Sequence, residues 1–283
     1  MGGWEGGRRG RASYLPILLS SSFFVSACVP LPPGTVVDET RPIVNSGFEA
    51  LGPGAHEEVS LHFSVKAYDA ETAKQVSQLC EADYQRIMQD TNLYSFVGSR
   101  PYPITVYRDR AEYLAKTRMP EWSGGVSVGN TLAVYVGPEM EPTTAHEMTH
   151  IIFYEVFGEK AGNIRWLNEG LAVYEETQTR LSEVDARELA GARARLLTMP
   201  MPFAQMQAFV PASEQARLVN AWYLQASDVV RFMIERGGRL GFSLFLKSLR
   251  DGRTFDDAVK EGFPGQWSDA RTLEAGWLAS LPR

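Results

Sequence analysis

The chain has 283 residues, of which 44% are hydrophobic and 22% charged, a composition that excludes disorder along the whole chain. Its 28 basic and 34 acidic residues give a formal net charge of −6, and no basic patch suggests a nucleic-acid partner. The length suits one medium catalytic domain or two small ones.

The N-terminal 27 residues have the pattern of an export signal peptide. Three arginines between positions 8 and 11 precede a largely apolar run, from 14 to 25, that is too short to span a bilayer comfortably. The run ends in Val25-Ser-Ala-Cys28, which resembles the bacterial lipobox, where the cysteine becomes the lipid-bearing N-terminus. We therefore expect an exported protein of the bacterial cell envelope, anchored to a membrane through Cys28. The alternatives are an ordinary signal peptide with a nearby cysteine, or a buried N-terminal helix.

Residues 28–57 are rich in proline and glycine and predict a lipidated cysteine followed by a flexible tether. The remainder, 58–283, is expected to form the folded domain. Its first part, 58–140, is predicted to be strand-rich, and its second part, 141–283, to be helical. If Cys28 carries lipid, then Cys80 has no disulfide partner and is most simply a small core residue.

The hydrophobic periodicity predicts strands before helices, which indicates an α+β fold. Apolar residues alternate with polar ones from Val59 to Val65, which predicts one half-buried strand. The other predicted elements of the first part are helices at 70–90 and 109–116, a strand at 104–107, and a hairpin at 126–136 that bends at Gly129-Asn130. The predicted helices of the second part are 143–157, 165–179, 182–197, 214–235, 239–250, 253–260 and 268–280.

Residues 146 to 150 read His-Glu-Met-Thr-His, the HExxH pattern. Two histidines four positions apart lie on one face of a helix, so both imidazoles can bind one metal ion. His146 and His150 also continue the apolar stripe of Phe153 and Phe157, which predicts that they point inward. Glu147 would flank the metal and could take a proton from a bound water. The alternative is a helix that merely has a polar face.

A third candidate ligand, Glu169, follows His150 after 18 intervening residues, in the context Asn168-Glu-Gly170. The chain resembles the gluzincin metallopeptidases, the superfamily of thermolysin-like and aminopeptidase-like enzymes. The resemblance rests on the HExxH pattern, the interval of 18 residues and the Asn-Glu-Gly context together. Weaker similarity extends over about 59–280 and includes the segment Ala221-Trp-Tyr-Leu-Gln-Ala-Ser227. Small bacterial peptidases of this superfamily are similar in these outer segments.

The resemblance implies one Zn²⁺ per chain, held by His146, His150 and Glu169. It further implies zinc-dependent hydrolysis of peptide bonds in a peptide or protein substrate, with Glu147 as the catalytic base that activates a zinc-bound water. The oxyanion needs a second electrophile, for which we expect Tyr223. The other candidates for that role are Tyr174, Tyr154 and His62.

The implied fold is a zincin-like α+β domain, with a small, mostly antiparallel sheet over the HExxH helix. An edge strand within Leu132–Val136 is expected to pair with an extended substrate. Gly170 is expected to allow close packing against the HExxH helix. The chain departs from thermolysin-like members at Val173, where they carry an aspartate that orients a zinc histidine. It also lacks the Gly-x-Met-Glu-Asn motif of the aminopeptidase branch.

Three other functions remain open at this point. The protein could be a catalytically silent binding or scaffolding lipoprotein, although metal binding alone does not need Glu147. A structural zinc site is a second alternative, but a set of two histidines and one glutamate leaves a coordination position open. The third is a zinc hydrolase that acts on a non-peptide substrate.

Overall fold

The computed structural model describes residues 48–93, 101–180, 183–209 and 216–281. The predicted signal peptide and Cys28 lie outside these ranges. Within them, no helix combines the length and the apolar character needed to cross a membrane. The strands are β1 (His56–Val59), β2 (Phe63–Ala67), β3 (Tyr102–Tyr107), β4 (Val126–Val128) and β5 (Thr131–Tyr135). The α-helices are α1 (Ala70–Thr91), α2 (Arg110–Thr117), α3 (Met140–Phe157), α4 (Arg165–Gln178), α5 (Glu183–Leu196), α6 (Phe203–Ala208), α7 (Ala216–Arg250), α8 (Phe255–Gly262) and α9 (Ala270–Ser280).

The five strands form one mixed sheet in the order β1-β2-β3-β5-β4. β2, β3 and β5 run parallel to one another, whereas β1 and β4 are antiparallel to their neighbours. The α+β prediction is confirmed, but the prediction of a mostly antiparallel sheet is wrong. The chain crosses over through α1 between β2 and β3 and through α2 between β3 and β5, and such crossovers connect parallel strands.

The predicted hairpin is confirmed, and β4 rather than β5 lies at the edge of the sheet. Gly129 has a φ of 60°, the positive value that a type II′ turn requires at its first central residue. The prediction of an edge strand within Leu132–Val136 is wrong, because β5 pairs with β3 on one side and with β4 on the other.

The single strand predicted from Val59 to Val65 is two strands joined by a tight turn. β1 ends at Val59 and β2 begins at Phe63, and Leu61 in the turn is 81% exposed. A period of two cannot distinguish a strand that continues from one that folds back on itself after a few residues.

The two faces of the sheet contact different helices. Alternate residues of β3 and β5, including Ile104, Val106, Leu132 and Val134, belong to the main core with α1 and α3. The intervening residues, including Tyr107 and Ala133, form a second core with Tyr113 of α2 and Val126 of β4. Since Val126 points towards this second core, Ser127 points towards α3.

Residues that precede β1 also pack on the second core. Phe48 and Leu51 contact it, and the Tyr107 hydroxyl donates to the carbonyl oxygen of Glu49 at 2.9 Å. The packed part of the domain therefore includes residues 48–51, upstream of the boundary predicted at 58.

The C-terminal half is helical, as predicted. α3 packs against α4, α4 against α7, and α7 against both α8 and α1. The two helices predicted at 214–235 and 239–250 are the two halves of α7, which breaks at Gly238, where φ is 79°. The prediction missed α6 and the 3₁₀ turn Gly158–Ile164 between α3 and α4.

Asp228 of α7 is a buried carboxylate that joins three helices. It accepts hydrogen bonds from Arg193 of α5 at 3.0 Å, from Arg231 of its own helix at 2.7 Å, and from the Trp277 indole of α9 at 3.0 Å. Because two cations and an indole N–H surround the carboxylate, its burial is compensated.

A second group of buried charges lies between α1 and α4. The Arg86 guanidinium donates to Asp83 at 2.7 Å and to Glu175 at 3.0 Å. Burial raises the pKa of Glu175 and the nearby Asp90 carboxylate adds to this effect, so that the pKa reaches about 8 although Arg86 opposes the shift. At neutral pH Glu175 therefore holds a proton in most molecules.

The raised pKa of Glu175 makes stability depend on pH. The folded protein binds this proton more tightly than the unfolded chain, where the ordinary value is 4.5. The resulting stabilisation is complete below about pH 4.5 and is lost as pH rises through about 8. Between pH 7 and pH 9, wild-type protein should lose about 1.4 kcal/mol of unfolding free energy relative to Glu175→Gln, whose amide does not ionise.

Urea denaturation of metal-free protein at both pH values measures this difference. The matched control is Glu235→Gln, at an exposed position of α7, which should keep the pH dependence of the wild type. Equal pH dependence of wild type and Glu175→Gln would contradict the assignment of the raised pKa to Glu175.

Candidate metal centre

Three buried side chains from two packed helices converge on one point. His146 and His150 lie one turn apart on α3, and Glu169 lies in the first half of α4. One ligand atom from each residue lies within 4.8 Å of the other two. Glu169 Oε2 is 3.5 Å from His150 Nε2 and 4.0 Å from His146 Nε2.

These same three atoms are buried without a hydrogen-bond partner among the residues that the structure describes. Buried polar atoms are normally paired, so three unpaired ones facing each other are suited to bind a shared ligand. Tetrahedral zinc with bonds of about 2.1 Å spaces its ligand atoms roughly 3.4 Å apart, close to the two distances above. The group can therefore hold a metal ion, and its nitrogen and carboxylate donors suit zinc.

The other nitrogen of each imidazole is held by α4. His146 Nδ1 lies 3.0 Å from Glu176 Oε2, and His150 Nδ1 lies 2.9 Å from Asn168 Oδ1. A carboxylate or amide oxygen at Nδ1 keeps a proton on that nitrogen, so that in the neutral imidazole the lone pair of Nε2 is directed towards the convergence point.

Glu176 is the carboxylate that orients His146. It was not predicted from the sequence, where Val173 stands in the position of the thermolysin-like aspartate. Glu176 follows Glu169 by seven positions, two helical turns, and therefore lies on the same face of α4. This spacing is the signal in the sequence that could have located it. Asn168 could have been found as the residue next to Glu169.

Arg180 connects Glu176 to the start of α3. Its guanidinium is 3.2 Å from Glu176 Oε1 and 2.5 Å from the carboxylate of Glu139, the N-cap residue of α3. Because the other oxygen of Glu176 faces His146, Arg180 limits the rotation of the carboxylate that orients this candidate metal ligand.

Glu147 is buried beside the two histidines on α3. Its Oε2 accepts a hydrogen bond of 2.8 Å from the Ser127 hydroxyl of β4. The carboxylate therefore lies between the helix that carries the histidines and the edge strand of the sheet.

The electrostatics of the group favour a bound cation. Burial lowers the pKa of His150, but the carboxylates of Glu169 and Glu147 outweigh burial and raise it to about 9. Burial raises the pKa of Glu169, and the two imidazoles reverse this effect and lower it. In the absence of metal, the proton on His150 partly balances the negative charges of Glu169 and Glu147. A metal ion that binds His150 must displace this proton.

The four candidates for an oxyanion donor lie in different surroundings. Tyr223 is buried on α7, where its ring meets Trp222 edge-on at 5.0 Å. Tyr154 is half-buried on α3, one turn after His150, and packs against the main core.

The contacts of the other two candidates lie on α1. Tyr174 is turned about 140° from Glu169 around the axis of α4, and its hydroxyl hydrogen-bonds Asp90. His62 Nδ1 is 2.7 Å from Glu81 Oε2, and the His62 ring stacks on Tyr84 at 4.0 Å.

Gly170 packs against α7, not against α3 as expected from the sequence. A Cβ at this position would meet the backbone of Ala226 at 2.7 Å and the Val230 side chain at 3.1 Å. The absence of a side chain therefore lets α7 lie directly on α4, next to Glu169. Tyr223 precedes Ala226 by three positions and so lies on about the same side of α7.

The contact between His146 and Glu176 should contribute to metal affinity. We expect Glu176→Ala to weaken zinc binding by about 10- to 100-fold, because His146 loses the acceptor that orients it. Glu176→Gln keeps an acceptor and should lose less. Competition with a chromophoric chelator measures the affinities, with Glu159→Ala at an exposed position as the control. Unchanged zinc affinity in Glu176→Ala would assign Glu176 to helix packing alone.

Comparison with known proteins agrees with the geometry of this group. A search against curated proteins found no significant match. A family model described as the Peptidase MA superfamily matches residues 85–282, which include the HExxH pattern, Asn168-Glu-Gly170 and the helices that follow. Since this match covers more than half of the chain, the protein belongs to the Peptidase MA superfamily, whose members resemble gluzincins.

Proposed function

We propose that this protein is a zinc-dependent peptidase that hydrolyses peptide bonds in peptide or protein substrates. The observation that carries the proposal is the convergence of three buried, unpartnered donor atoms beside a fourth buried side chain, Glu147. Membership of the Peptidase MA superfamily supports the same chemistry. A structural metal site would not need a carboxylate beside its open position.

The residues divide the work of hydrolysis between binding and proton transfer. His146, His150 and Glu169 would hold one zinc ion, which when bound polarises a carbonyl group and lowers the pKa of water. Glu147 then takes a proton from the attacking water and passes it to the leaving amine. Glu176 and Asn168 keep the two imidazoles oriented throughout.

The edge strand β4 offers a binding site for an extended peptide. Val128 pairs with Thr131 and Val126 with Ala133, and in a hairpin with a two-residue turn these are the hydrogen-bonded pairs. The backbone N–H and C=O of Ser127 therefore point away from β5, towards the free edge. A substrate strand that pairs there would run past Glu147, the hydrogen-bond partner of the Ser127 hydroxyl.

The proposal includes Tyr223 as the donor of a hydrogen bond to the developing oxyanion. A neutral phenol can donate this bond without competing as a metal ligand. The position of Tyr223 near the contact of Ala226 with Gly170 supports this role, because Gly170 follows the proposed ligand Glu169. The competing interpretation is a core aromatic that packs on Trp222.

We further propose that the protein is exported and anchored to a membrane by lipid on Cys28. The support for this proposal is the order of the N-terminal features in the sequence: a basic segment, an apolar run and Val25-Ser-Ala-Cys28. The location would be the periplasmic face of the bacterial cell envelope or the cell surface.

Three substitutions test the mechanism together. Wild-type protein, purified without chelator or polyhistidine tag, should carry about one zinc ion per chain, and His150→Ala should lose it. Glu147→Gln should keep zinc but lose hydrolysis by several orders of magnitude, because the base acts directly on water. Tyr223→Phe should lower kcat by about 10²- to 10³-fold with zinc content and KM unchanged.

Metal analysis and cleavage of a peptide library, followed by mass spectrometry, supply the measurements. Tyr174→Phe is the matched control and should keep wild-type kcat, since its hydroxyl faces Asp90. Wild-type protein that stays metal-free after incubation with zinc would refute the proposal. Zinc without cleavage of any peptide would favour a silent binding protein or a hydrolase of non-peptide substrates.

The lipid anchor has a separate test. The native protein should partition with membranes, and Cys28→Ser should abolish incorporation of a labelled fatty acid and release the protein from the membrane fraction. Cys80→Ser, at a buried position, is the control and should leave lipid incorporation unchanged. A mature protein that begins elsewhere and carries an unmodified Cys28 would contradict the proposal.

A further inference from the structure

The hydrogen bond between Ser127 and Glu147 joins the edge strand to the proposed catalytic base. Ser127 Oγ donates to Glu147 Oε2 at 2.8 Å, and Glu147 is almost fully buried while Ser127 is half-buried. A hydrogen bond to a charged acceptor is stronger than one between neutral groups, so it restricts the rotation of the carboxylate.

A second contact fixes the position of β4 on α3. A Cβ at Gly125 would meet the Thr143 side chain at 2.5 Å, so the strand approaches the helix closely at this point. From Gly125 to Ser127 the strand advances by about 6.6 Å, and from Thr143 to Glu147 the helix rises by about 6.0 Å. Because these distances nearly match, two successive contacts hold the strand in one register along the helix.

Ser127 therefore has two separate connections. Its backbone N–H and C=O lie in the plane of the sheet and point to the free edge, whereas its side chain points out of the sheet towards α3. A peptide bound at the edge would contact the same residue that holds Glu147.

We propose that Ser127 is a positioning residue: its hydroxyl holds the Glu147 carboxylate at a fixed distance from a peptide that pairs with the Ser127 backbone. This inference rests on the proposed peptidase function. The position of the substrate carbonyl relative to the base is then set through a single residue. Errors of about 1 Å in such an arrangement can cost on the order of 100-fold in rate.

Kinetics of three variants, each with measured zinc content, test the proposal. Ser127→Ala keeps the backbone of the edge, so KM should change less than about threefold, while kcat should fall by about 10- to 100-fold. Ser127→Thr keeps a hydroxyl and should restore most of kcat. Ser64→Ala, the same substitution on β2, removes a hydroxyl that hydrogen-bonds Glu57 and should keep wild-type kcat. A wild-type kcat in Ser127→Ala, or a loss that Ser127→Thr does not restore, would overturn the proposal.

Crystal structures of wild type and Ser127→Ala separate this inference from the proposed function. The Glu147 carboxylate should occupy one position in the wild type and several, or a shifted one, in Ser127→Ala. This comparison needs no catalytic activity, so it decides the role of Ser127 even if the wild type cleaves no peptide. A Glu147 side chain that is unmoved and single in Ser127→Ala would overturn the inference, whereas inactive wild-type protein would overturn the peptidase function.

Discussion

The close packing of α3 on α4 creates a buried polar centre that needs a counter-charge. His146, His150 and Glu169 point their unpaired atoms at one another in the buried contact between these two helices. Unpaired buried groups of this kind are costly, and an ion between them removes the cost. The remaining polar contacts, from Glu176 and Asn168, hold the imidazoles in the orientation that such an ion requires. α4 therefore supplies one candidate ligand and the hydrogen-bond acceptors that orient the other two.

Most of this centre was predictable because it depends on local spacing. The four-residue interval between His146 and His150 fixes their common face on any helix, and the interval to Asn168-Glu-Gly170 carries the family resemblance. Glu176 was missed because the thermolysin-like members carry their aspartate at the position of Val173. Glu176 nevertheless follows Glu169 by seven positions, an interval that returns to the same face of a helix. The role of Ser127 was beyond prediction, since the contact between β4 and α3 depends on the tertiary fold.

The fold class and nearly all helices followed from periodicity, but strand pairing did not. The alternation of apolar residues in β3 and β5 shows which faces are buried, but it does not determine which strands are neighbours. Because β3 pairs with β5 in parallel, β4 lies at the edge of the sheet. The strand predicted to pair with substrate, within Leu132–Val136, is therefore β5, the inner neighbour of the true edge strand. The helices were easier to predict because each one has its own hydrophobic periodicity and its own termination signals, such as Gly238 at the break in α7.

Asp228 has a consequence for truncated forms of the chain. Its carboxylate takes one of its donors from Trp277 of α9, and Trp277 is itself fully buried. Proteolytic trimming that removed α9 would leave a large void and a partly uncompensated charge on α7. Ala226, two positions before Asp228 on α7, lies against Gly170 beside the candidate ligand Glu169, so such damage would lie close to the candidate metal centre. An intact α9 is thus a quality criterion for any preparation in which metal content is assayed.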